Sequence, residues 1–156
     1  MNVRFEIFVV AAAEGNIRYR RSVVDATGRE KDPDEVVAEH LARNEPGCKA
    51  RFVHSTSWRY EEDGVLILTY LVLVAALPPN LAGQEGFLNA LPSDLPVGRS
   101  PTAPKPEAIR EEHVLAHGLR HLALLEQEKG ALTDHAGPHF AGALRSLAPV
   151  PAGRIR

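Results

Sequence analysis

The segment from position 54 to 60, HSTSWRY, concentrates side chains that could bind a ligand or react. It contains a histidine, two serines, a threonine, an arginine, a tyrosine and the only tryptophan of the chain. An aromatic ring with a polar tip can stack on a planar ligand, and an arginine can hold an anion through its planar donor fork. The segment therefore predicts a ligand-binding surface. Its candidate residues are His54, Ser57, Trp58, Arg59, Tyr60 and Tyr70.

Strict alternation along a strand would divide this segment between two faces. One face would carry Phe52, His54, Thr56, Trp58 and Tyr60. The other would carry Arg51, Val53, Ser55, Ser57 and Arg59. The competing interpretation is an ordinary sheet strand whose hydroxyls pair with neighbours and whose tryptophan lies in the core. We assign no catalytic residue, because no G-x-S-x-G elbow exposes a serine.

Three histidines recur at every fourth position of a predicted long helix. His113, His117 and His121 would lie on one side of that helix, opposite its leucine face. The outer two are about 12 Å apart by helical rise, so the three cannot converge on one ion. We predict a solvated face or a subunit contact here, and no metal site.

Two hairpins and a helix are predicted over the first half of the chain. Residues 3 to 12 and 17 to 25 read as paired strands. A helix follows, with Asp32 as N-cap and Pro33 in its first turn, and it ends at Pro46 and Gly47. Asp63-Gly64 predicts a two-residue type I′ turn between the next two strands. Glu62 would then pair with Val65, Trp58 with Thr69, Ser57 with Tyr70 and Arg59 with Leu68.

The second half of the chain combines a long connection with helices. Residues 65 to 77 are apolar on both faces, which predicts a central strand. Residues 78 to 106 hold seven of the twelve prolines and read as a loop that could form a wall of the site. A helical segment follows over 106 to 148. The predicted fold is a single α+β domain over 1–156, with a mixed or antiparallel sheet of two hairpins, an intervening helix and a C-terminal helical pair.

Composition excludes several classes of function. The net charge is −2, so no overall basic field attracts nucleic acid or an anionic membrane. No apolar run is long enough to span a bilayer, and the single cysteine, Cys48, permits no internal disulfide. We predict a cytoplasmic protein with no cofactor, no nucleic-acid partner and no membrane association.

The element order over about residues 3 to 75 resembles the Nudix scaffold, in which glutamates on a helix hold Mg²⁺. The family box reads G-x5-E-x7-R-E-U-x-E-E-x-G-U, where U is aliphatic. With Gly47 as the second glycine, the first glycine falls on Ala26, and the charged positions of the box fall on Asp32, His40, Leu41, Asn44 and Glu45. Glu45 and Gly47 match, and the box is otherwise degenerate. The resemblance implies a Nudix-like fold that serves as a binding or interaction module.

Three functions follow from these observations. The first is a non-catalytic module that binds a small ligand or a protein, with strand 52–60 as its surface. The alternative is a Nudix-like hydrolase of a nucleotide or phosphorylated small molecule that uses Glu35, Glu39 or Glu45 with a divalent ion. The second alternative is an oligomeric structural protein, a homo-oligomer with the histidine face in its interface.

Overall fold

The fold is α+β, as the sequence predicts. The computed structural model describes residues 2–13, 16–26, 31–61, 63–77, 85–88, 109–145 and 147. The strands are β1 (Asn2–Ala13), β2 (Asn16–Asp25), β3 (Ala50–Tyr60), β4 (Val65–Val74) and β5 (Glu85–Leu88). The helices are α1 (Pro33–Asn44), α2 (Glu111–Lys129), α3 (Ala131–His135) and α4 (Pro138–Arg145).

The sheet is mixed, and its strand order is β3-β4-β1-β2-β5. Both predicted hairpins form, since β1 pairs with β2 and β3 pairs with β4, each antiparallel. The two hairpins join through a parallel pairing of β1 with β4. This arrangement makes β4 a central strand, which confirms the prediction from its continuous apolar sequence. It leaves β3 at one edge of the described sheet.

The predicted loop at 78–106 contains a strand that the sequence did not indicate. Residues Glu85–Leu88 form β5, which pairs antiparallel with β2 at the edge opposite β3. The prediction that this connection forms a wall beside strand 52–60 is therefore wrong for this part of it. The other residues between 78 and 106 lie outside the described ranges.

Helix α1 covers one face of the sheet, which we call the α1 face. Asp32 caps the helix as predicted, since its side chain accepts a hydrogen bond from the Asp34 amide at 2.9 Å. Its buried residues Val36, Val37 and Leu41 pack on odd-numbered side chains of β1 and even-numbered ones of β4. The members from the sheet are Phe5, Ile7, Val9, Ala11, Tyr70, Val72 and Val74.

The C-terminal helices cover part of the opposite face, which we call the α2 face. Leucines of α2, with Phe140 and Leu144 of α4, pack on Phe8, Leu71 and other sheet residues. Helix α2 approaches closely at Gly118, where a Cβ would lie 2.8 Å from Leu71 Cδ1. It ends at Gly130, whose φ of 60° is left-handed, a conformation that glycine commonly supplies at the end of a helix. The sequence did not indicate α3, the short helix that joins α2 to α4.

No helix within the described ranges is long and apolar enough to span a membrane.

Candidate functional site

A β-bulge in the middle of β3 decides which of its side chains lie together. Ser55 pairs with Tyr70 and Ser57 pairs with Thr69, so Thr56 is an extra residue that lies opposite no residue of β4 in the strand register. Alternation therefore resets at Thr56. The division of residues 51 to 60 predicted from strict alternation is wrong beyond this point, because one inserted residue moves every later side chain to the other face. It is also wrong for Arg51, where a second register shift occurs.

The turn between β3 and β4 shifts the register as well. The Glu61 amide donates to the Val65 carbonyl at 2.9 Å, and the Gly64 amide donates to the Glu61 carbonyl at 3.0 Å. The loop therefore has three residues and a left-handed Gly64 (φ 76°), in place of the predicted two-residue turn. The predicted partner of Val65, Glu62, lies outside the described residues. Trp58 pairs with Leu68, Arg59 with Ile67 and Ser57 with Thr69, one position away from the predicted register.

The six candidate residues consequently fall into two groups of three. His54, Ser57 and Arg59 belong to the α2 face, together with their strand partners Leu71, Thr69 and Ile67. Trp58, Tyr60 and Tyr70 belong to the α1 face, where Tyr70 and Leu68 join the core under α1. The structure does not bring the six together at one site.

On the α2 face, Arg59 belongs to a buried charge cluster centred on Glu6. Glu6 is 1% exposed, and one carboxylate oxygen accepts from Arg59 Nη1 at 2.6 Å and from the Thr69 hydroxyl at 3.1 Å. The other oxygen accepts from Arg21 Nε at 2.8 Å. Arg59 also pairs with Glu61 at 3.0 Å. Burial alone would raise the pKa of Glu6, but the two guanidinium groups outweigh it and lower that pKa.

His54, the second candidate on this face, contacts a histidine of α2. His54 Nε2 and His121 Nε2 lie 3.4 Å apart, and the two rings stack with centroids 5.4 Å apart. On its other side His54 contacts Phe52, which stacks on His135 of α3. Burial lowers the pKa of His54, and the neighbouring His121 acts in the same direction. The imidazole pair His54–His121 therefore joins α2 to β3, and its environment favours the neutral form of His54.

The three helical histidines have separate environments, so the predicted solvated face is wrong in part. His121 packs on β3, and His117 is half-buried with a pKa lowered first by burial and then by His121 and Arg120. His113 lies in the first turn of α2, where its Nδ1 accepts from the Arg110 amide at 3.3 Å. The side of α2 that carries the histidines faces β3, because Gly118 lets the helix approach the sheet closely.

On the α1 face, β3 carries an exposed row that we call the aromatic shelf: Val53, Ser55, Trp58 and Tyr60. All four side chains are exposed, and Trp58 is 63% and Tyr60 51% accessible. The two rings meet edge to face with centroids 5.9 Å apart. Helix α1 packs on β1 and β4, so β3 extends beyond it.

The inner border of the shelf meets the N-terminal end of α1. The Ser55 side chain hydrogen-bonds the Tyr70 hydroxyl, and the carboxylates of Asp34 and Asp32 act on that same hydroxyl. Burial raises the pKa of Tyr70 most, and Asp34 adds to it. Tyr70 itself is buried and forms an edge-to-face pair with Phe5 at 5.8 Å. It therefore supports the shelf from behind and offers little surface to a ligand.

The glutamates that a hydrolase would use do not converge. Glu45 is buried and pairs with Arg20 at 2.5 Å. Glu39 pairs with Lys31 and lies 3.8 Å from Arg43, whereas Glu35 is exposed. In the part of the chain that the structure describes, no three His, Cys, Asp or Glu residues form a group that could hold a metal ion.

Comparison with known proteins adds no relative. The chain matches no family model, no curated protein and no solved structure. Any functional argument therefore rests on the geometry of β3 and its two faces.

The sequence analysis missed Glu6, and it named His121 without predicting its contact with His54. Glu6 is a lone acid inside an apolar strand, and such a carboxylate requires cationic partners when it is buried. The need for cationic partners could have been used to predict the cluster, because Arg21 lies in the same hairpin as Glu6 and Arg59 lies in the next one. His121 carried no comparable signal, because its contact with His54 depends on the bulge and on the helix approach at Gly118.

Proposed function

We propose that this protein is a non-catalytic module that binds a protein partner through the aromatic shelf. The observation that carries the proposal is the exposure of the only tryptophan, Trp58, beside Tyr60 on an edge strand. Scattered exposed apolar residues are normal on protein surfaces. A tryptophan and a tyrosine in contact are different, because these two residue types dominate the binding energy of protein interfaces.

A protein partner fits this surface better than a small molecule does. Small-molecule sites are concave and enclose most of the ligand. Trp58 and Tyr60 instead stand on the outermost strand with more than half of each side chain in water. Such a surface excludes water only when a broad partner covers it.

The reactive side chains of the segment support a structural role. Arg59 is committed to Glu6 and Glu61, and His54 is committed to His121. Both lie on the face opposite the shelf, where they tie β3 to β1, the hairpin turn and α2. They hold the strand that presents the aromatic rings.

Photo-crosslinking tests the proposal directly. A photoreactive phenylalanine analogue replaces Tyr60 in one variant and Val23 in another, and both are produced in cells that naturally make the protein. Val23 is a matched control, because it is 48% exposed but lies opposite Glu6 on the α2 face. We expect a crosslinked protein from position 60 that is absent from position 23.

The captured protein is then purified and its affinity measured with Trp58→Ala. Loss of a central aromatic anchor typically costs at least about 2 kcal/mol, roughly thirtyfold in affinity. We expect a loss of that size. Equal crosslinking from both positions, or an affinity that Trp58→Ala leaves unchanged, would contradict the proposal.

A further inference from the structure

The shelf has an uncovered strand edge on one side and carboxylates on the other. Among the described strands, none pairs with the outer edge of β3. Beyond the bulge at Thr56, residues 57 to 60 pair regularly with β4 and include both exposed rings. Asp32 and Asp34 lie at the inner border, beyond Ser55 and Tyr70.

We propose that the occupant of the shelf is an extended segment of a partner protein that carries a lysine or arginine, with its backbone along β3 and its cation between Trp58 and the acids of α1. This inference rests on the proposed function and specifies the chemistry of the partner. An extended segment can add to an exposed strand edge through main-chain hydrogen bonds, while its side chains give specificity. The bulge limits that pairing to the short stretch from Ser57 to Tyr60.

Charge complementarity selects a basic segment. Asp32 and Asp34 are exposed, and neither forms an ion pair within the described residues. The nearby cation Lys31 pairs with Glu39. No shelf residue is charged. The side chain of the neighbouring Arg51 extends to the opposite face, where its Nη1 would lie 3.6 Å from a Cβ at position 137. A cation entering the shelf therefore meets two carboxylates, and neither Lys31 nor Arg51 competes with it.

The exposed rings favour the same partner. The face of a tryptophan attracts an ammonium or guanidinium group electrostatically. Trp58 lies two pairing rows beyond Ser55 and on the same face, and Ser55 touches the hydroxyl on which both aspartates act. One long basic side chain can thus lie on the indole and direct its charge towards Asp34.

A second copy of this chain fits less well. The shelf of another copy would present Val53, Ser55, Trp58 and Tyr60, none of which is charged. If two shelves paired, apolar side chains of the second copy would cover the surface beside Asp32 and Asp34, and neither carboxylate would gain a cation. Self-association through the shelf is therefore an outcome that the experiment must distinguish.

A displayed library of unbiased linear dodecapeptides provides the test. The library is selected on the full chain and depleted on the Trp58→Ala variant, so that only shelf-dependent sequences are retained. We expect these to be enriched in lysine and arginine relative to the unselected library. Affinities of synthesised hits are then measured for the chain and for Asp32→Asn/Asp34→Asn. Asparagine preserves the N-cap hydrogen bond while removing the charge.

The double variant should bind the hits about three- to tenfold more weakly, and added salt should reduce that difference. Glu128→Gln/Asp134→Asn is the matched control, because it removes two exposed charges far from the shelf, and it should bind normally. Shelf-dependent peptides without basic enrichment, or unaffected by the aspartate changes, would overturn this inference but not the proposed function. Failure to recover any Trp58-dependent peptide, together with dimerisation that Trp58→Ala abolishes, would overturn both and indicate a second copy as the occupant.

Discussion

The two sides of β3 differ in what covers them, although they belong to one strand. On the α2 side, Arg59 and His54 reach partners on β1 and α2, and their polar groups are used inside the protein. On the α1 side, Trp58 and Tyr60 contact each other, and more than half of each side chain is exposed to water. The sequence predicted His54, Arg59 and Trp58 at one binding surface, with a buried tryptophan as the competing interpretation. The bulge at Thr56 therefore decides which of these side chains face the interior and which face water.

Edge strands are usually protected against unwanted pairing, and bulges are one of the means. In β3 the bulge also turns Trp58 outward, which a simple protective device would not require. The α2 side of β3, which we call the closed side, then has a clear structural role. It fixes an edge strand that would otherwise be held by β4 alone, so that the α1 side, which we call the open side, is presented on a rigid support.

The largest expected effect comes from breaking the closed side at Glu6. Glu6→Gln removes the buried charge that Arg59 and Arg21 share, and it leaves Arg59 poorly solvated. Breaking such a buried pair costs about 3–5 kcal/mol of unfolding free energy. Urea denaturation at neutral pH measures this cost, and Glu128→Gln on the exposed surface of α2 should stay within about 0.5 kcal/mol of the parent. A loss below about 1 kcal/mol for Glu6→Gln would show that the cluster does not hold β3.

A smaller effect is expected from separating α2 from the sheet. Gly118→Val places a branched side chain 2.8 Å from Leu71 and 3.3 Å from Thr56 Oγ1, and this overpacking should cost about 1–3 kcal/mol. Gly142 of α4 is the matched glycine, since a Cβ there meets nothing within 4 Å. Gly142→Ala should stabilise the fold by about 0.5–1 kcal/mol through helix propensity. Thermal denaturation of both variants checks the contrast, and equal shifts of the same sign would contradict the close approach.

Acid should also lower the free energy of unfolding, and His54 on the α2 side of β3 should contribute to this loss. The pKa of His54 and that of His117 are lowered from 6.5 mainly by burial. Below pH 6.5 the unfolded chain therefore takes up protons that the folded chain refuses, and stability falls as pH falls from there towards the folded pKa values. Urea denaturation at pH 7.5 and 5.5 should show this loss, and His54→Gln should make it smaller.

The control for this pH dependence is His139→Gln, because His139 is exposed on α4. It should leave the loss between pH 7.5 and 5.5 almost as large as in the parent. If His54→Gln and His139→Gln changed that loss equally, the imidazole pair would not be the source of the pH dependence.

Much of the fold could be predicted because the signals that specify it are local. The cap at Asp32, the glycine that ends α2 and the apolar run of β4 each act through neighbouring residues. The strand β5 has no such pattern in its four residues, Glu85–Leu88, and was missed. The candidate site was named in the correct strand, but its residues were grouped wrongly.

The reason for the wrong grouping is that a bulge is specified by tertiary contacts. Thr56 is 2% exposed and lies beneath Gly118, while Glu6 holds Arg59 on the same face. These contacts involve residues more than fifty positions away along the chain, so alternation within β3 could not reveal them. A search for the cationic partners of Glu6 would have placed Arg59 on the α2 face and, by alternation, Trp58 on the other.

The smallest expected effect on stability separates the two sides most sharply. Trp58→Ala should change the unfolding free energy by no more than about 0.5 kcal/mol, because its ring is mostly in water already. Phe52→Ala, six residues earlier on the opposite face, removes a ring packed between His54 and His135 and should cost about 2 kcal/mol or more.

Tryptophan fluorescence gives an independent check, since Trp58 is the only indole. Emission resembling that of free tryptophan, with efficient quenching by iodide, is expected. Blue-shifted emission that iodide does not quench would place Trp58 under α2 and remove the bulge on which the comparison depends.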